Sequence, residues 1–170
     1  MDRGTAVCNE LKRAGVQYML WLPDSETHFM QEPIQRDPAF HLMQVCREGE
    51  ALGICAGLHL GGSKGALLIE NAGLFDAGNI LKWIIGAKIP LIMLVGYLFY
   101  AYMERTPVGL MGRHGKDYTE PFLKAFDIPY YLVDSDADVP KVGLACQEAW
   151  RLRKPVAVLL TAADKWTQPT

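Results

Sequence analysis

The 170-residue sequence contains no Gly-x-Gly-x-x-Gly element, no Walker A loop and no Cys-x-x-Cys pair. The first two absences exclude the common glycine-rich phosphate cradles. The third, with only four cysteines scattered at positions 8, 46, 55 and 146, argues against a structural metal or a disulfide framework. A reducing, cytoplasmic compartment is the expectation. Excess charge of one sign is also missing: 17 lysines and arginines face 19 aspartates and glutamates, for a net charge of −2. A generic basic nucleic-acid surface is thereby excluded. No apolar run reaches the ~18 residues of a membrane span; the longest, residues 89–103, is interrupted by Pro90 and Gly96. The opening Met-Asp-Arg leads straight into an amphipathic stretch, without the order of a signal peptide, so export is not expected.

What remains is a chain half hydrophobic and 21% charged, enough apolar material for one substantial core, and a single domain over residues 1–170 is expected. Short β-type apolar runs at 16–22, 41–45, 66–70, 91–95, 130–133 and 156–160 lack strict polar alternation. Such runs suit parallel strands buried on both faces. Helical patterns fall between them at 5–13, 48–60, 77–85, 118–126 and 139–151, with a weaker one at 27–35. Asp138 is placed to cap the last of these, with Pro140 in its first turn. The reading is an α/β fold, a doubly wound, mainly parallel six-stranded sheet with helices on both faces. Along 48–60, the small residues Ala51, Gly53, Ala56 and Gly57 would let the helix backbone approach a sheet or a neighbouring subunit.

In open parallel sheets, ligands bind beyond the carboxyl ends of the strands. The segments there are Leu22-Pro23-Asp24-Ser25, Cys46-Arg47-Glu48-Gly49-Glu50-Ala51, Asn71-Ala72-Gly73-Leu74-Phe75-Asp76 and Gly96-Tyr97. Asp24 and Ser25 have two readings: a turn or cap, or contact with a substrate carboxylate. His28 reads as a surface residue. Glu48 alone would be a first-turn glutamate favourable with the helix dipole, and Glu50, two residues on, points to another helix face.

In order and spacing, these segments resemble the pyrimidine-binding (PYR) domain of thiamine-diphosphate-dependent decarboxylases. The resemblance is nearest to the alpha subunits of sulfopyruvate decarboxylases and the N-terminal domains of phosphonopyruvate decarboxylases. It extends over nearly the whole chain through Ile54-Cys55-Ala56-Gly57, Ile89-Pro90-Leu91, Asp127-Ile128-Pro129-Tyr130 and Lys154-Pro155-Val156. It implies that Glu48 hydrogen-bonds the cofactor's aminopyrimidine ring and activates it. It implies further that Asn71, Gly73, Leu74 and Phe75 approach the cofactor and that Asp24, Ser25 and His114 contact a 2-oxo acid substrate. The chain departs from the family pattern at Phe75 and Asp76, where Gly and Asn are usual, and at Glu70, where glutamine is commoner. Asp76 would add negative charge near an anionic substrate, offset by Arg47 or by Arg105, Arg113, His114 and Lys116.

The family's diphosphate and Mg²⁺ site is marked by Gly-Asp-Gly, and this sequence has no Gly-Asp dipeptide. The resemblance therefore implies half an enzyme: thiamine diphosphate held between this chain and a beta subunit that ligates Mg²⁺, in a hetero-oligomer with PYR–PYR pairing. The expected activity is decarboxylation, most like that of sulfopyruvate to sulfoacetaldehyde and CO₂. Phosphonopyruvate decarboxylation and acetolactate-synthase-like carboligation are the alternatives, and a noncatalytic α/β binding or regulatory module is the rival of another class. The aromatic run 97–102 reads as interface and Trp83 as core.

Overall fold

The protein is described by a computed structural model covering residues 2–98 and 114–162, with the side chains of 114–116 outside that description. Helix α1 (Arg3–Arg13) is capped by Asp2, whose carboxylate accepts the Thr5 backbone N–H at 2.9 Å. It leads into β1 (Tyr18–Trp21). A 3₁₀ turn (His28–Met30) and a short α2 (Gln31–Arg36) replace the single helix expected at 27–35. Then follow β2 (His41–Gln44), α3 (Glu48–Leu60) and β3 (Gly65–Glu70). Two helices, α4 (Asn71–Asp76) and α5 (Gly78–Gly86), precede β4 (Leu91–Gly96). The rest is α6 (His114–Ala125), β5 (Tyr130–Val133), a 3₁₀ turn (Asp136–Asp138), α7 (Pro140–Leu152) and β6 (Pro155–Leu160).

All six strands are parallel, in the order β2-β1-β3-β4-β6-β5, as the unalternating apolar runs predict. Strands β3, β4 and β6 are central and almost wholly buried, whereas β2 lies at an edge and is largely exposed. The pleat divides the core in two. Met19, Ala66, Leu68, Ile92, Leu94, Val156 and Val158 pack with Val7, Leu11, Met30, Val142 and Cys146 on one face. Leu20, Leu67, Ile69, Met93, Val95 and Leu159 pack with Leu52, Cys55, Leu74, Leu81 and Leu123 on the other. The two helical layers are thus α1, α2 and α7 against α3, α4, α5 and α6. Cys8, Cys55 and Cys146 lie in these layers as unpaired thiols, and burial pushes each up to about 12.

Several expectations are corrected. Asp138 does not cap α7, whose first residues follow Val139 without a side-chain cap. Its carboxylate instead accepts the Ser135 hydroxyl and the Asp134 N–H, closing the preceding 3₁₀ turn. Trp83 is 66% exposed rather than core, because α5 turns Leu81 and Ile84 inward. Tyr97 is fully buried rather than an interface residue, while residues 99–102 lie outside the described region, as do Arg105 and Arg113. The close approach of α3 to the sheet comes through Gly65 of β3, where a Cβ would lie 3.0 Å from the Cys55 sulfur. Gly53 and Gly57 have nothing within 4 Å of a Cβ position among the described residues. Among the described residues no helix is long and apolar enough to cross a membrane.

Candidate active site

Strand order reverses beside β1: β2 lies on one side of it and β3 on the other. A crevice opens where such a reversal occurs, at the carboxyl ends of the strands. The segments that follow β1, β2 and β3 meet there.

After β1, the loop is held shut from within. Asp24 Oδ1 accepts the backbone N–H groups of Glu26 and Thr27, each at 2.8 Å, and Oδ2 accepts the Thr27 hydroxyl. This is the turn-forming reading of Asp24, with three donors on one carboxylate. Glu26 and Thr27 are buried, while Ser25 is exposed and its carbonyl oxygen lies 2.9 Å from His28 Nδ1. The loop rests on Gly96 at the end of β4, where a Cβ would fall 2.8 Å from Asp24 Oδ1 and 3.0 Å from Thr27 Cγ2. Any side chain at 96 would lift the loop from the sheet edge.

After β2, Arg47 is extended and Glu48 opens α3. Glu50 reaches back to accept the Cys46 N–H at 3.2 Å, a variant of the capping box that engages Glu50 at the helix start. Glu48 projects instead toward α4. A Cβ on Gly73 would lie 2.2 Å from Glu48 Cγ and 2.4 Å from both Cδ and Oε1, so the glutamate stem occupies the space a side chain at 73 would fill. Among the described residues Glu48 makes no hydrogen bond or ion pair. Its carboxyl group retains its capacity to bond a ligand.

After β3, α4 begins at once. Asn71 is buried, and its Nδ2 donates to Thr119 Oγ1 at 3.0 Å and, at 3.5 Å, toward the Leu98 carbonyl. Its amide donor is thus turned to α6 and the end of β4. Leu74 is fully buried in the core, and Phe75 is 44% exposed with its ring edge-on to Phe122 at 5.4 Å. Asp76 is ion-paired with Arg47, whose Nη2 lies 2.8 and 3.2 Å from its two oxygens. The charge added by Asp76 and the cation expected to offset it are therefore bound to each other. His114 begins α6, and its side chain lies outside the description, as does that of Lys116.

Two features are set by packing between segments distant in the sequence. Glu120 on α6 accepts hydrogen bonds from the hydroxyls of buried Tyr97 at 3.0 Å and Tyr130 at 2.7 Å, tying α6 to β4 and β5. Burial, with this carboxylate beside it, pushes the Tyr130 hydroxyl up to about 12. The second is Glu70, the last residue of β3. It is half-buried, and desolvation followed by the charges of Asp24, Glu26 and Glu48 holds its carboxyl above the ordinary glutamate range. Among the described residues no group of three or more His, Cys, Asp or Glu side chains is arranged to hold a metal ion.

No protein-family model matches the chain. It is similar to the sulfopyruvate decarboxylase subunit alpha of Methanothermobacter thermautotrophicus, with 30% identity over 94% of this chain and 96% of that one. The subunits of the same name from Methanococcus maripaludis and Methanocaldococcus jannaschii are each 27% identical over 95% of this chain. Among solved structures, benzoylformate decarboxylase from Polynucleobacter necessarius superposes with a TM-score of 0.75 at 19% identity, over 100% of this chain and 32% of that chain. The fold is shared, and this chain spans about a third of the longer one's length.

Proposed function

The chain belongs to the family of sulfopyruvate decarboxylase alpha subunits, and we propose that it is the cofactor-activating half of a thiamine-diphosphate-dependent 2-oxo acid decarboxylase, with sulfopyruvate as substrate. The observation that carries this reading is Glu48: a carboxyl group at the carboxyl end of β2, laid across Gly73, with no hydrogen bond or ion pair among the described residues. A ligand with a ring nitrogen and an adjacent amino group suits such a group, which both accepts and gives up a proton at one place.

The bound cofactor supplies a carbon nucleophile and a sink for the electron pair left when CO₂ departs. The remaining roles belong to this chain's own residues. Glu48 would hold the aminopyrimidine nitrogen, with its carboxyl group placed to take up or give away a proton there. Gly73 leaves room for the Glu48 side chain beside α4. Asn71, donating to Thr119, fixes α4 against α6, while Leu74 anchors α4 in the core and Phe75 borders the cofactor space. Asp24 shapes the loop that carries exposed Ser25, and Ser25 and His114 contact the substrate. A beta subunit with the diphosphate and Mg²⁺ site completes the enzyme, and the alpha chains pair through their PYR-type domains.

The test is co-purification with the partner, followed by thermal unfolding of the complex with and without thiamine diphosphate and Mg²⁺. A ligand at about 100 times its dissociation constant stabilises the folded state by roughly 2.7 kcal/mol. A rise in unfolding temperature that disappears with thiamine lacking the diphosphate supports the reading. No shift in a complex that contains both subunits refutes it.

A further inference from the structure

We propose that Glu70 is a catalytic residue of this site, the donor of the proton that a substrate must take up when it loses CO₂. The inference rests on the decarboxylase reading above and extends it to a residue that reading leaves without a task.

The chemistry requires a donor. Cleavage of the bond between the ketone carbon and the carboxylate leaves an electron pair on that carbon. Release of an aldehyde requires a C–H bond in its place, so each turnover consumes one proton. The donor must be an acid that takes up and gives away a proton once per turnover, and Glu48 is assigned to the cofactor. Asp24 is occupied as the acceptor of three hydrogen bonds from its own loop.

Glu70 is placed between the parts that matter. It pairs in register with Gly96, the residue on which the Asp24–Thr27 loop rests. It directly precedes α4, whose Gly73 underlies Glu48. Among the described residues its carboxyl makes no hydrogen bond or ion pair. The charged groups acting on it are Asp24 and Glu26 from the loop after β1 and Glu48 from α3, all carboxylates. Arg47, which precedes α3, is held by Asp76. Burial and these three carboxylates raise the Glu70 carboxyl above the ordinary glutamate range, so it holds its proton to a higher pH than an exposed glutamate does. In its protonated form Glu70 adds no repulsion toward an anionic 2-oxo acid. In the step itself the Glu70 O–H bond breaks, the carbon's electron pair takes the proton, and the resulting carboxylate recovers a proton from water.

The experiment uses the complex of this chain with its partner, wild type and Glu70→Gln, given sulfopyruvate, phosphonopyruvate or pyruvate, with and without hexacyanoferrate(III). That oxidant removes the electron pair left by CO₂ loss, so the acid forms in place of the aldehyde and no proton need be added to carbon. In Glu70→Gln, aldehyde formation is expected to fall by about 10²-fold or more, while CO₂ release in the presence of the oxidant stays near the wild-type rate. Aldehyde formation at the wild-type rate, or an equal fall in both rates, overturns the role of Glu70 and leaves the decarboxylase reading standing. A wild-type complex that releases CO₂ from none of the three acids overturns the decarboxylase reading and the donor role with it. Independently of turnover, isotope-edited infrared spectra of the cofactor-free complex over a pH series are expected to contain a protonated carboxyl band that persists to higher pH than that of an exposed glutamate and that Glu70→Gln removes. A spectrum without that band contradicts the proposal.

Discussion

Glu48 and Gly73 occupy one space: a Cβ on residue 73 would lie 2.2 Å from Glu48 Cγ and 2.4 Å from Oε1. The helix that opens with Glu48 and the helix that contains Gly73 follow different strands, and this contact is where they are registered against each other. Gly73 lies within a helix and has no positive φ, so the requirement for glycine is one of room rather than of backbone conformation.

Gly73→Ala is therefore expected to displace Glu48 while sparing the helix itself. Overpacking of this kind costs typically about 1–3 kcal/mol, partly offset by the better helix propensity of alanine. Urea unfolding of the variant should show a loss within that range. The thermal shift produced by thiamine diphosphate in the assembled complex should shrink far more than stability does. An undiminished shift would mean that Glu48 tolerates the methyl group and that the contact has no bearing on the cofactor.

The buried bond from Asn71 to Thr119 is the second connection to α4. Removing either partner leaves the other polar group buried, at a cost of roughly 1–3 kcal/mol. Asn71→Ala and Thr119→Val should each destabilise the protein in urea unfolding, and the double variant should lose less than the sum. Strict additivity would show that the two side chains do not act on each other.

The parallel sheet was legible in the sequence because strands buried on both faces are almost uniformly apolar, as in Leu91–Gly96 and Pro155–Leu160. Edge strand β2 was legible more from the turn signals around it than from its exposed residues. Helix α4 was not read as a helix: six residues including Gly73 carry little propensity, and its place is set by Leu74 in the core and Asn71 on Thr119. Trp83 was misplaced because Ile80, Leu81, Ile84 and Ile85 surround it with apolar neighbours, and only packing selects which face turns inward. Glu48 stood out through the family pattern, whereas the surroundings of Glu70 arise from three separate chain segments that no local pattern joins.

Glu70 also gives stability a pH dependence. Its folded value is raised above the ordinary glutamate value that the unfolded chain has. Between the two, the folded state binds more protons than the unfolded state, so stability falls as pH rises through that window. Glu70→Gln should flatten this part of the stability-against-pH curve and make the variant the more stable at the alkaline end of the window. Urea unfolding at a series of pH values measures it, and parallel curves for wild type and variant would show that Glu70 titrates as an exposed glutamate does.

The most direct test of the central claim is thiamine-diphosphate-dependent CO₂ release from sulfopyruvate by the assembled complex carrying Glu48→Gln. Glutamine retains the shape over Gly73 but cannot exchange the proton. The Glu48→Gln complex is expected to keep its composition while turnover falls by about 10²-fold or more. Turnover at the wild-type rate would contradict the central claim and remove Glu48 from cofactor activation.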